Sequence, residues 1–397
     1  MRVTPTGHRQ VRRPRSIKRA ASSRIRVLAC IGAVALAGLV CACSSGSGGS
    51  SSDGTSVAAN GTKTDFSAKV APYLVEPQNI PSYPPLSRRP PKGEKIYFVS
   101  DGSEVNEAQA AAAACQVLGW SYHAITYSSA NPAAANSAIL SAINAGANAV
   151  IGLAVTPSAV RPALALANSR HIPVVIIAAS VPTNAPGYSQ VSNVNADNAT
   201  IAKVLAYAVL ADAQERHLVA HIALVSSSSI ASFSAVNDAE IAAIKSACHA
   251  CTVNLVDVPL QQLVEGDASS ATISYLQGNA STNYVLVNAF PGSMATALRN
   301  AGFRKVRIGI FGGIAGDNAA VKENQYIFNI NISNDYNSWL AVDSIARALT
   351  GGNANIHNAE ATPVWIVTPH NVDFNTEALP NFPVHYAEDF SKLWRIS

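Results

Sequence analysis

The chain has 397 residues, 48% hydrophobic and only 13% charged, which is enough apolar content to bury more than one core. Its formal net charge is +4, yet nine of its 28 basic residues lie before position 27, and the rest carries 19 basic residues against 24 acidic ones, a net charge of −5. The positive balance belongs to the N-terminus alone, and an acidic body excludes nucleic-acid binding driven by a basic surface.

Residues 1–26 hold eight Arg, one Lys and no acidic residue, and lead into the apolar run 27–42, VLACIGAVALAGLVCA. A basic stretch before an apolar one is the layout of an export signal. Sixteen residues ending in small side chains are short for a membrane span, which needs about twenty. Val40-Cys41-Ala42 before Cys43 resembles the bacterial lipobox, whose Cys is lipidated and becomes the first residue of the mature protein. The resemblance implies a lipoprotein signal peptide over 1–42, lipidation at Cys43 and a lipid-anchored location in the cell envelope, outside the cytoplasmic membrane. Cys41 fits less well, because Val40 would stand where Gly, Ala or Ser is needed. An ordinary secretory signal with incidental cysteines is the alternative. Arg12-Arg13 lack the apolar residues that follow a twin-arginine pair, so the basic region is read as simply long.

Residues 43–92 read as a tether in two parts. The Ser/Gly-rich stretch 44–64 has almost nothing to bury and behaves as flexible chain reaching roughly 25 Å. The Pro-rich stretch 71–92 carries Tyr73, Leu74, Ile80, Tyr83 and Leu86, and reads as extended chain lying on a domain surface, with a second spacer as the alternative.

From Lys95 onward, short β-branched runs alternate with Ala-rich segments of helical length. KIYFVS precedes Val105–Leu118, NAVIGLA precedes 157–169, and IPVVIIAA precedes 198–214. VAHIALVS precedes 230–247, NYVLVNAF precedes 292–301, and VRIGIFG precedes 317–324. Strands this continuously apolar are buried on both faces of a parallel sheet, while helices carry one-sided stripes such as Trp339, Val342, Ala346 and Leu349. The expected class is α/β, doubly wound, and about 300 residues of it suggest two lobes. Polar residues interrupt VSNVNADN near 195, NINISNDY near 330 and TPVWIVTPHN near 365, which are the expected three crossings of a hinge. The lobes are then 93–194 with 333–364, and 195–332 with 365–397.

Two stretches carry a family resemblance: AGANAVIGLAVTPSAVRPALALANSRHIPVVIIAAS with NADNATIAKVLA, and NYVLVNAFPGSMATALRNAGFRKVRIGIFGG. With the terminal FSKLW, they resemble the type I periplasmic binding proteins, in the branch related to ribose-binding proteins, over roughly 93–397. The resemblance implies an ABC importer's binding protein that closes two lobes on a small sugar-like or other neutral solute and presents it to a membrane permease. It implies a monomer without cofactor or metal. A sensor presenting its ligand to a membrane receptor or kinase is the alternative reading. The related repressors begin with a DNA-binding helix-turn-helix, which an export signal excludes.

In such a fold the ligand sits at the carboxyl ends of the strands. The candidates are Ser100, Asp101 and Glu104 after the first strand, Val155 and Thr156 after IGLA, and Ser180 after VIIAA. The second half offers Ser226–Ser229 with Ser228, Phe233 and Asn237, then Asn288, Phe290, Phe311, Asp317 and Asn331. Each is equally suited to a cap or turn, Asp101, Ser180 and Asp317 above all. Monosaccharide binders of the family hold vicinal hydroxyls with Arg and Asp forks. This chain has Ala179-Ser180, Asn237 and Gly312 at the matching places, which points to a neutral solute with fewer hydroxyls than a hexose.

Three cysteines, Cys115, Cys248 and Cys251, lie beyond Cys43. CHAC at 248–251 is open to a redox pair, half a zinc site or a small disulfide; it ends a helix and offers three ligands in one turn, which favours the disulfide. Cys115 reads as a buried small hydrophobe. The His residues at 123, 171, 217, 221, 357, 370 and 385 are isolated and the Ser run lacks a G-x-S-x-G elbow, so no catalytic role is expected.

Overall fold

The computed structural model describes residues 64–102, 105–128, 131, 133–179, 189–194, 197–229, 231–288, 290–312, 316–357 and 362–396. The expected signal peptide, Cys43, the Ser/Gly stretch up to residue 63, and the candidates Glu104 and Ser180 lie outside them.

A short helix, α1 (Phe66–Val70), opens the described chain and is capped by Asp65, whose side chain accepts the Ala68 N–H. The first sheet is built from β1 (Lys95–Ser100), β2 (Ser121–Thr126), β3 (Ala149–Leu153), β4 (Val174–Ile177) and β5 (Val191–Val194). All are parallel, in the order β2-β1-β3-β4-β5. Helix α2 (Val105–Leu118) covers one face, and α3 (Ala134–Asn144) with α4 (Arg161–Ser169) covers the other. Every residue of β3 and β4 is buried, as continuous apolar runs require.

The second lobe begins with α5 (Asn198–Glu215), then β6 (His221–Ser226), α6 (Ala231–Ala247) and β7 (Thr252–Asp257). It continues through α7 (Leu260–Val264), α8 (Ala268–Gly278), β8 (Tyr284–Asn288), α9 (Met294–Asn300), β9 (Arg307–Phe311), α10 (Asp317–Lys322) and β10 (Phe328–Ile332). The chain then returns through α11 (Asn334–Thr350) to β11 (Val364–Val367), and ends in α12 (Tyr386–Leu393). The second sheet has the order β11-β10-β9-β8-β6-β7, parallel except for β11, which pairs antiparallel at the edge. Helices α5 and α6 cover one face, and α7 to α10 the other. At Gly309 in β9 a Cβ would overlap the Phe328 ring and Leu286, so only glycine lets these layers close.

The three expected crossings are present, from Val194 to Asn198, from Ile332 to Asn334 and between Thr350 and Val364. The polar residues that break the strand pattern are partly helix caps: Asp197 accepts from Ala199 and Thr200, and Ser333 Oγ accepts the Tyr336 N–H at 3.2 Å. Because β5 and β10 leave their sheets at the carboxyl ends, both sheets turn those edges toward the junction between lobes.

The chain ends depart from the sequence reading. Helix α1 was not anticipated, and its Phe66 and Val70 sit in the second lobe's core. The Pro-rich stretch then runs as surface chain to the first lobe, where Tyr83 and Leu86 are buried. Residues 365–397 do not all belong to the second lobe: β11 does, but Phe390 and Trp394 of the C-terminal segment pack into the first. The reason is the α11 stripe, since Trp339 stacks on Trp394 with centroids 5.4 Å apart and would otherwise face water. The two ends also bond each other, Val384 N–H to Pro77 O at 3.0 Å and Leu86 N–H to Leu393 O at 3.0 Å.

Under this junction lies a buried ionic group. Asp343 Oδ2 accepts from Arg347 Nε at 2.6 Å and lies 2.7 Å from His357 Nε2, while Oδ1 accepts from Trp394 Nε1 at 2.7 Å. Burial alone would raise the Asp343 carboxyl, but His357 and Arg347 together hold it below the usual range. Cys248 and Cys251 are disulfide-bonded where α6 turns into β7, and burial pushes the Cys115 thiol up to about 12, which leaves it inert.

Candidate functional site

In the second lobe, the strand register gathers the candidates. Asn288 pairs with Phe311, and Val287 with Val225, so Ser226, Asn288 and Phe311 end three adjacent strands side by side. Asn237 and Glu240 come from α6 and share one helix face. Asn288 Nδ2 donates to Asn237 Oδ1 at 2.9 Å and to Glu240 Oε2 at 3.0 Å. Phe233 and Phe290 are half-buried against the core under α8 and α9, and Phe311 against the core under α5 and α6. The edge is therefore furnished with uncharged amides, hydroxyls and aromatic rings around one buried carboxyl.

Other candidates are occupied elsewhere. Ser228 donates its N–H and its Oγ to Asp257 at 2.8 and 2.7 Å, bracing the turn after β6, while Ser227 Oγ lies 2.7 Å from Ser229 Oγ. Asn331 is buried in an asparagine cluster: Asn318 Nδ2 donates to Asn331 Oδ1 at 3.3 Å, and Asn329 Nδ2 donates to Asn318 Oδ1 at 2.8 Å. Asn331 thus steadies the strand that enters the hinge. Asp317 sits in the first turn of α10, where a negative charge suits the helix N-terminus.

In the first lobe, Ser100 is buried at the end of β1 and its Oγ accepts the Gly102 N–H at 3.3 Å. Asp101 and Thr156 are exposed. Val155 is fully buried in the core between α3 and α4, because the turn after β3 directs it inward, so it packs the lobe instead of facing the cleft. Where this lobe meets the hinge, a cavity of about 180 Å³ is lined by Val105, Asn106, Glu107, Ser333, Asp335 and Asn381, among others. Burial raises the Asp335 carboxyl there. Among the described residues, no three His, Cys, Asp or Glu side chains gather as metal ligands.

The sequence reading missed Glu240, Asn318, Asn329 and the hinge residues Asn334 and Asp335. Two signals were available. Glu240 follows Asn237 by three, which places both on one helix face, and FNINI alternates Asn with apolar residues, which puts Asn329 and Asn331 on one sheet face.

A family model described as periplasmic binding protein domain matches residues 96–353. The chain belongs to that family. Solved structures similar to this periplasmic binding protein include an ABC transporter solute binding protein from Mycobacterium smegmatis with bound glycerol, 19% identical, TM-score 0.59, covering 72% of this chain and all of that one. Another is a periplasmic ribose ABC transporter from Conexibacter woesei, 17% identical, TM-score 0.61, covering 72% of this chain and 95% of that one. A third is a carbohydrate transporter from Acidothermus cellulolyticus in complex with myo-inositol, 18% identical, TM-score 0.54, covering 70% and 96%. At these identities the likeness establishes the fold. No curated protein sequence matches the chain.

Proposed function

We propose that this periplasmic binding protein is the solute-binding component of an ABC importer, anchored outside the cytoplasmic membrane by lipid at Cys43 and working as a monomer. Its solute is a small neutral polyol or sugar-like molecule held between the lobes. The observation that carries the reading is the carboxyl edge of the second sheet, where Ser226, Asn237 and Asn288 stand on the strands and helix that border the junction. The glycerol named with one similar structure agrees with an uncharged ligand of few hydroxyls. Closing two lobes around such a solute changes the protein's shape, and a permease distinguishes loaded from empty protein by that shape.

A thermal-shift screen tests the solute class. Ligand at a hundredfold excess over Kd should stabilise the protein by about 2.7 kcal/mol. Hits are expected among small neutral polyols, with plain ribose, galactose and glucose weaker because the Arg and Asp forks are missing. Tight binding of those unmodified sugars would overturn the expectation.

Anchoring has a separate test. Cys43→Ala should move the protein from the membrane fraction to the medium while its melting temperature stays unchanged. Retention in the membrane fraction would remove the lipid anchor from the reading.

A further inference from the structure

The carboxyl end of the second sheet holds a polar cluster whose wiring is specific. Ser226 and Asn288 follow Leu224 and Leu286 by two, so they lie on the face covered by α5 and α6, directly above that core. Asn237 and Glu240 of α6 reach them from above, and Ser226, Asn237, Glu240 and Asn288 are each at most 2% exposed. Asn288 spends both hydrogens of one amide nitrogen, on Asn237 Oδ1 and Glu240 Oε2. Asn237 Oδ1 and Glu240 Oε2 both accept here, with the carboxyl proton on Oε1, which holds the Asn288 nitrogen toward them and sets the Asn237 amide with it. Asn237 Nδ2 and Asn288 Oδ1 then have no partner among the described residues, nor do Glu240 Oε1 and Ser226 Oγ. Buried polar atoms are nearly always paired, so a donor and an acceptor left together favour a group that both accepts and donates. A hydroxyl is the simplest such group.

We propose that Glu240 is a positioning residue for the solute: it orients the amides of Asn288 and Asn237 so that the pair offers one N–H donor and one C=O acceptor to a single ligand hydroxyl. This rests on the reading of a neutral, hydroxyl-bearing solute. Burial, opposed by the Asn288 hydrogen bond, pushes the Glu240 carboxyl up to about 8, so at neutral pH it is a neutral hydrogen-bonding group without a counter-ion. The arrangement reads one hydroxyl without charge, where an Arg and Asp fork would grip two vicinal ones.

Two substitutions of the full chain test it, Glu240→Gln and Glu240→Met, with three measurements on each. These are the side-chain amide signals of Asn237 and Asn288 in the ligand-free protein by NMR, the melting temperature, and affinity for glycerol by calorimetry. The Met variant should shift and broaden the Asn288 amide signals and weaken polyol affinity about ten- to hundredfold without lowering the melting temperature. The Gln variant, which keeps an acceptor for Asn288, should retain the amide signals and stay within about threefold of wild type. Unchanged amide signals in the Met variant, unchanged affinity despite altered signals, or a lowered melting temperature in both variants would each overturn the proposal. Failure of glycerol to bind wild type would overturn the solute reading instead, and the amide signals alone would then decide the role of Glu240.

Discussion

Replacing Asp343 with Ala is expected to lower the unfolding free energy by about 3 to 5 kcal/mol, measured by urea denaturation at neutral pH. The carboxylate is fully buried and serves three donors at once, Arg347, His357 and Trp394. Removing it leaves the Arg347 guanidinium, itself only 3% exposed, without its counter-charge, and desolvated charge without a partner is the costly outcome. The damage is not confined to one element, because Arg347 also donates to Pro84 O at 3.0 Å and Trp394 closes the C-terminal segment onto α11. The pH dependence has a definite sign. The folded carboxyl is held below its usual range, so its stabilisation is present above the unfolded value of about 3.9 and is lost as pH falls toward the lower folded value. A variant as stable as wild type would show that the group is a bystander of packing.

Glu240→Gln is expected to stabilise the protein at pH 8 and to leave it nearly unchanged at pH 4. In the folded chain the Glu240 carboxyl is pushed up to about 8, chiefly by burial, whereas in the unfolded chain it titrates near 4.3. Below the unfolded value both states are protonated and nothing is lost. As pH rises past it, the unfolded state releases a proton that the folded state keeps, and stability falls by about 1.4 kcal/mol per pH unit until the folded group also ionises. The accumulated loss is on the order of 5 kcal/mol, which glutamine does not suffer. Urea unfolding of both proteins at several pH values reads the difference directly. Parallel stability curves for wild type and variant would show that the carboxyl is solvated or ion-paired.

Much of the fold was legible because its strands are buried on both faces. Runs such as VVII and YVLVN read as parallel strands without any partner in view, since only a sheet covered on both sides needs apolar side chains in both directions. The helix boundaries were legible for a similar local reason: Val105–Leu118 follows from Ala-rich periodicity alone, and the hinge breaks coincide with the capping residues Asp197 and Ser333. The edge strands were harder. Thr252–Asp257 buries only Val253 and Val256, has no strong apolar run and lies at the edge of its sheet.

By itself the sequence determined the α/β class, the two lobes, the three crossings and the acidic body behind a basic N-terminus, all of which depend on local pattern and composition. Only the tertiary structure decided which polar residues do what. Ser228 is bound by Asp257 twenty-nine positions away, Asn288 by Glu240 across a helix, and Asn331 by Asn318 from the preceding helix. A side chain's hydrogen-bond partners are set by which elements pack together, and a run of Ser or a lone Asn looks the same in sequence whichever partner it finds. The C-terminal helix shows the same limit in packing, because Phe390 and Trp394 declare that they must be buried but not on which lobe. That choice belongs to the uncovered stripe of α11, which lies some fifty residues earlier in the chain and in contact with the end of it only after folding.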